Sequence, residues 1–165
     1  MPINAVYPGS FDPATYGHLD IIERASRIAG AEGRLTVAVL ENSEKQPLLS
    51  VKERMACLSE LTKDFGNVEI VSFSGLLTDF ARARGVNLII RGVRSTADYE
   101  YENVIAQVYK GLYGRAETVF IPADPRFAYL SSSVVREVAG RGGETAHMTP
   151  PAAAVLLREK YGEGI

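Results

Sequence analysis

The chain is expected to fold as an α/β protein: one Rossmann-like domain with a doubly wound, parallel, five-stranded sheet and helices on both faces. Three observations predict this. Apolar runs of strand length alternate five times with segments of helical period, the connections between them are short, and the strand runs are apolar almost throughout, as in sheets covered on both faces. With 165 residues and 46% apolar side chains, the chain is long enough to bury one sizeable core.

The first run, Ile3 to Tyr7, empties into the turn-rich segment Pro8-Gly9-Ser10-Phe11-Asp12-Pro13, where proline is expected to end a central strand. From His18 onward, Leu19, Ile22, Ala25, Ile28 and Ala29 recur at helical spacing up to Gly30. Leu35 to Leu40 reads as the second strand. Ser50-Val51-Lys52-Glu53 has the form of a capping box, and Met55, Leu58 and Leu61 continue that helix. Val68 to Phe73 is the third strand. A short helix around Leu76 to Ala81 stops at Gly85, and Val86 to Ile90 is the fourth strand. A helix over about Ala97 to Leu112 precedes a fifth strand, Glu117 to Ile121. Ser131 or Ser132 caps a helix through Val138, and Pro150-Pro151 opens a last one over Ala152 to Lys160. No internal repeat or interdomain linker interrupts this order, so residues 1–165 are read as one domain.

Composition narrows the function. A net charge of −2 argues against a general nucleic-acid binder, which needs a broad basic surface. His18, His147 and the single Cys57 show no CxxC or HExxH spacing, so a protein-held transition metal is not expected. Cys57 shares a helix face with Leu58 and Leu61 and is expected in the core. Met1 to Tyr7 lacks the pattern of a secretory signal and no apolar run nears ~20 residues, which points to a cytoplasmic protein off the membrane. The absence of GxxxxGK[ST] excludes a Walker-type kinase.

Ligands of such sheets bind at the carboxyl ends of the strands. Four segments there carry one chemistry. Tyr7 to His18 offers Gly9 and Gly17 for close backbone approach and places His18 on a first helical turn, where free amides favour an anion. The loop Glu41 to Pro47 brings Lys45. Ile90-Arg91-Gly92-Val93-Arg94 sets two arginines past an apolar strand, suited to bidentate phosphate recognition. Ser131-Ser132-Ser133 lines up hydroxyls and amides at a helix start. Each alone also suits a turn, a solvated lysine or a helix cap; together they point to a polyphosphate.

At this resolution the residues resemble a known family. Thr15-Tyr16-Gly17-His18 with Ser131-Ser132-Ser133-Val134-Val135-Arg136 is similar to the TxGH and SSSxxR elements of the nucleotidyltransferases related to class I aminoacyl-tRNA synthetases. Tyr7 to Pro13, Lys45 before Pro47, Phe73-Ser74-Gly75-Leu76-Leu77, the arginine strand end and Asp98-Tyr99-Glu100-Tyr101-Glu102 resemble the bacterial phosphopantetheine adenylyltransferases along nearly the whole chain. The resemblance implies transfer of AMP from ATP to 4'-phosphopantetheine in coenzyme A synthesis, with Mg2+ arriving on the ATP and a homohexameric assembly. It implies that Ser10, Lys45, Leu77 and Arg91 contact the acceptor. Ser10, Phe11, His18, Gly92, Val93, Arg94, Glu102, Phe127, Ala128, Tyr129, Leu130, Ser131, Ser132 and Ser133 would contact ATP, and His18, Lys45 and Arg91 would carry catalysis.

Two departures from the family pattern stand out. Tyr109-Lys110 replaces an Asn-Arg pair associated with the pantetheine arm, and the loop Ala123 to Tyr129 differs from the usual sequence. Two rival readings remain: a sibling enzyme using nicotinate mononucleotide or glycerol phosphate as acceptor, and a nucleotide-binding regulatory module without turnover.

Overall fold

The computed structural model describes residues 2–41 and 46–162. In chain order the elements are β1 (Asn4–Gly9), α1 (Tyr16–Ala29), β2 (Arg34–Leu40), α2 (Val51–Leu61), β3 (Val68–Phe73), α3 (Leu77–Ala83), β4 (Leu88–Val93), α4 (Thr96–Leu112), β5 (Glu117–Pro122), α5 (Ser132–Gly140) and α6 (Pro151–Tyr161). The five strands form one parallel sheet in the order β3-β2-β1-β4-β5.

Successive residues of a strand point to opposite faces, and here the two faces bury different helices. Ala5, Tyr7, Leu35, Val37, Val39 and Ile90 pack with Ile21, Ile22 and Ala25 of α1, Cys57 and Leu58 of α2 and Ala153 of α6. Their neighbours Val6, Ala38 and Ile89 pack the other way, against Leu77 and Ala81 of α3 and Tyr113 after α4. The sheet is therefore doubly wound. Burial of Cys57 in the first cluster pushes its thiol up to about 11, which makes it an inert core residue. A third cluster, Leu130, Val135, Ala139, Met148 and Leu157, joins α5 and α6 to the loop before them.

Helix starts follow local chemistry. The Ser50 amide donates to Glu53 Oε2 at 2.7 Å while the Glu53 amide donates to Ser50 Oγ at 3.2 Å, the reciprocal box expected there. Ser131 rather than Ser132 caps α5, accepting from the Val134 amide.

Two strand boundaries differ from the sequence reading. Val86 is not in β4: its amide donates to Ala81 O, closing the end of α3, and β4 instead runs on through Arg91, Gly92 and Val93. Likewise β1 continues through Pro8 and Gly9 although it is a central strand. The reason lies in its pairing. Beyond Val6↔Ile89 the β1–β4 ladder stops, whereas β1–β2 continues to Gly9↔Val39. In a strand the N–H and C=O of one residue point the same way. The Pro8 carbonyl accepts from Arg91 Nη1 at 3.2 Å, so the missing Pro8 N–H faces the same opened seam and costs no ladder bond.

Candidate active site

The opened seam is the site. β2 lies on one side of β1 and β4 on the other, so the chain reverses direction across the sheet at β1, and there the carboxyl ends of β1 and β4 diverge. A pocket of about 250 Å³ fills the divergence, walled by Tyr7 to Ser10, the first turn of α1, the end of β4, Asp98 and Glu102 of α4, and Phe127, Leu130, Ser131 and Ser132.

His18 is set by the cap of α1. The Thr15 side chain accepts from the His18 amide at 3.2 Å, and the Thr15 amide donates to His18 Nδ1 at 3.0 Å. An amide only donates, so Nδ1 carries a lone pair and the ring proton sits on Nε2. Burial, with a further push from Arg94, lowers His18 to about 4, which keeps the imidazole neutral at physiological pH. Beneath it lies Phe11, 1% exposed, its ring edge-on to His18 with centroids 5.1 Å apart. Phe11 has φ 49, and this left-handed turn brings its ring under Gly9. A Cβ on Gly9 would stand 2.8 Å from Phe11 Cζ, so glycine is required by that approach.

The opposite wall is cationic. Arg91 donates from Nε to Glu102 Oε2 at 2.7 Å and from Nη2 to Oε1 at 2.5 Å, a two-pronged pair with Glu102 buried. Burial alone would lower the guanidinium; its bonds to Glu102 outweigh that and raise it. Arg94 reaches back from the end of β4, its amide bonded to Asp98 Oδ2 at 3.0 Å and Nη1 to Leu130 O at 2.9 Å, which ties the strand to the loop before α5. Tyr7 lies between these groups, and its burial holds the phenol protonated, well above its ordinary range, against the pull of Arg91 and Arg94.

A second pocket of about 270 Å³ shares Ser10 and Ser132 with the first and is lined also by Asp12, Arg54, Ser133 and Arg136. Asp12 is its organiser. The carboxylate accepts from the amides of Leu48 at 2.9 Å and Leu49 at 2.8 Å, and Arg136 donates to the Asp12 carbonyl.

Of the residues singled out in the sequence, Ser10, His18, Arg91, Gly92, Arg94, Glu102, Phe127, Leu130, Ser131 and Ser132 line the first pocket and Ser133 the second. Phe11 is a buried support, and Leu77 is buried in the cluster that also holds Tyr109. Val93, Ala128 and Tyr129 line neither wall, and Lys45 lies outside the described residues. Tyr7, Thr15, Ile21, Asp98, Ala123, Asp12 and Arg54 join the walls without having been assigned there. Tyr7, Asp12 and Asp98 stood inside motifs already quoted, while nothing in the sequence marked Arg54. Among the described residues no group of three or more His, Cys, Asp or Glu is placed to hold a metal, and no helix is long and apolar enough to cross a membrane.

Comparison with known proteins bears on this pocket. The family model for cytidylyltransferase-like proteins matches residues 6–138. The chain is 45% identical over 159 residues to the phosphopantetheine adenylyltransferase of Prochlorococcus marinus (strain MIT 9211), covering 96% of this chain and 99% of that one. It is 46% identical over 157 residues to the protein of that name from Caldanaerobacter subterraneus subsp. tengcongensis, covering 95% and 96%. In fold it is similar to a solved structure from Vibrio parahaemolyticus that carries the name of a nicotinate-nucleotide adenylyltransferase, with a TM-score of 0.69, 17% identity and 99% and 97% of the two chains covered. With near-complete coverage at this identity, and with the TxGH and SSSxxR elements meeting at one pocket, the chain belongs to the phosphopantetheine adenylyltransferase family of nucleotidyltransferases.

Proposed function

We propose that the chain, acting as one nucleotidyltransferase domain, transfers AMP from magnesium-ATP to 4'-phosphopantetheine, giving dephospho-coenzyme A and pyrophosphate. The observation that carries this reading is the convergence of a neutral, Nε2-protonated His18 with Ser10, Arg91 and Arg94 on one pocket at the sheet's reversal point. That is a site built for phosphoryl oxygens rather than for a covalent intermediate.

The acceptor's phosphate is already a competent nucleophile. One of its oxygens attacks the α-phosphorus, the bond from α-phosphorus to the bridging oxygen breaks, and the electron pair leaves on pyrophosphate. No proton has to be removed. The residues therefore act by positioning and by stabilising charge. His18, neutral and with Nδ1 committed to Thr15, offers Nε2–H to a nonbridging oxygen of the reacting phosphorus as charge grows there. Ser10 and Lys45 hold the incoming phosphate, Arg91 orients the acceptor with the donors left over from Glu102 and Pro8, and Arg94 with Ser131 to Ser133 holds the nucleotide's phosphates. The cation travels as part of the nucleotide substrate, held by phosphate oxygens.

Leu77 and Tyr109, which share one cluster on the α3–α4 side, support a place for the pantetheine arm there. A homohexamer working in the cytoplasm completes the reading. It is supported by the exposed apolar residues Tyr101, Val104, Val108 and Leu112 of α4, which a partner copy would cover. The deciding experiment measures pyrophosphate release from ATP with 4'-phosphopantetheine, nicotinate mononucleotide or glycerol phosphate. Turnover with the first alone is expected; turnover only with another acceptor would make the chain a sibling enzyme, and none at all a regulatory module.

A further inference from the structure

Arg54 is 3% exposed, yet no carboxylate pairs with it among the described residues. Its guanidinium donates instead to three backbone carbonyls: Nε to Leu49 O at 3.1 Å, and Nη1 to Ser10 O at 2.7 Å and to Leu40 O at 3.1 Å. Those carbonyls belong to three segments that the β1–β2 ladder and the Asp12 carboxylate also tie, and Arg54 is the one side chain seen to bond all three. Ser10 follows β1, Leu40 ends β2, and Leu49 precedes the cap of α2. The side chain also lines the second pocket, and no described residue accepts from its Nη2.

Burying an arginine on carbonyls is costly unless its geometry is needed, since each neutral acceptor offsets only part of the lost hydration, and Asp12 and Glu41 attract the charge without bonding it directly. A lysine also has three donors, but all on one nitrogen, so it would keep the charge without reproducing the spread of Nε and Nη1 over these carbonyls. The fork is what this position uses. Asp12 completes the arrangement from the other side by accepting the amides of Leu48 and Leu49, so both the carbonyl and the amide of Leu49 are fixed.

We propose that Arg54 is a positioning residue for the acceptor: by holding the Ser10 peptide and both flanks of the β2–α2 connection in one frame, it sets the mouth that receives the acceptor phosphate. The proposal rests on the functional reading above, in which Ser10 meets that phosphate. Arg54 makes no hydrogen bond to His18, Arg91, Arg94 or Ser131, and its bond to Ser10 is to the backbone, so its effect is expected to fall more on the acceptor than on ATP. Misplacement of a binding group by about an ångström is enough to cost ~100-fold.

Steady-state kinetics of the full chain test it, with Arg54→Lys, Arg54→Met and Asp12→Asn against the parent. All three are expected to raise the acceptor KM by at least about tenfold and to change the ATP KM by less than about threefold. Arg54→Lys keeps the charge, so failure of lysine to rescue separates three-point positioning from simple attraction of an anion. Full rescue by lysine would overturn the proposal, as would equal loss for both substrates or an unchanged acceptor KM. Should Arg54→Met not fold, Asp12→Asn, which keeps the volume but can accept only one of the two amides well, carries the same expectation. Failure of the parent protein to use phosphopantetheine would instead refute the assigned activity, a separate outcome read from the parent alone.

Discussion

The backbone amide of Thr15 donates to Nδ1 of His18 across 3.0 Å, so the residue that caps α1 also decides which nitrogen of the imidazole bears the proton. Histidine takes the place that glutamate or glutamine has in the common capping box, and the cap thereby fixes the tautomer on which the proposed role of His18 depends.

The free protein's His18 should titrate near 4 rather than near 6.5. In an NMR titration of ring carbons its signal is expected to hold steady from pH 8 to 5.5, and the pH profile of kcat/KM should show no limb from it in that range. Because the folded pKa is lowered, the unfolded chain binds this proton more readily between about 6.5 and 4. His18 therefore costs no stability at neutral pH and erodes it as pH falls through that window. His18→Ala should remove this dependence and reduce kcat by about 10²–10³ with little change in ATP affinity.

Removing Glu102 leaves the half-buried Arg91 without its partner. Glu102→Ala is expected to destabilise by about 1–3 kcal/mol, and the double replacement Arg91→Met with Glu102→Leu to recover part of that while abolishing turnover. Urea denaturation of the parent and both variants decides; equal stability of all three would show that the pair contributes nothing to the fold.

Lys45→Ala and Arg91→Ala should weaken phosphopantetheine more than ATP, since both are proposed to meet the acceptor phosphate. Calorimetric titration with each ligand separately measures this, and unchanged acceptor affinity in both would remove them from the site.

Tyr109 packs in the cluster with Leu77, and burial raises its hydroxyl above the ordinary range, so it presents a neutral phenol. Tyr109→Asn should change the acceptor KM by less than about tenfold, ~1.4 kcal/mol, because a neutral contact on the arm is weaker than the charge-assisted bonds to the phosphate. A hundredfold change or a switch of acceptor would show that α4 sets specificity.

At the amino-terminal end of the sheet, just before β2, a Cβ on Gly33 would stand 2.2 Å from Ile3 O and 2.3 Å from Ala29 O, both backbone atoms. Gly33→Ala should cost ~3 kcal/mol in a thermal or urea melt while leaving both KM values intact in the folded fraction.

The sheet and its helices were legible because apolar runs and helical periods report burial directly, and nearly every element lies where they indicate. The misplacements have local causes. Pro8 breaks strands in general, but at an opened seam its missing donor goes unnoticed; Val86 is apolar, but its amide closes α3. In the site, residues with charge or a hydroxyl inside recognisable motifs could be found. Arg54 could not: on a helix it looks like any solvated arginine, and only the fold shows three carbonyls from distant segments around it. The resemblance offered Phe11 as a neighbour of the nucleotide; its place as the buried support of His18 was not legible, since burial of one aromatic depends on a positive φ that no sequence period encodes.

The ladder between β1 and β4 has two registered pairs, while each of the other three has six. Mechanically the sheet is a three-strand raft and a two-strand raft joined along a thin hinge. A substrate gripped, as proposed, by Ser10 and His18 on one raft and by Arg91 and Arg94 on the other would supply the missing rungs. Ligand at 100 times its Kd adds ~2.7 kcal/mol to the folded state, and in this molecule that gain is laid down across its weakest line. On that proposal stiffness would not be a fixed property of the chain but would vary with how much substrate surrounds it, and an idle molecule would be the one most easily pulled apart.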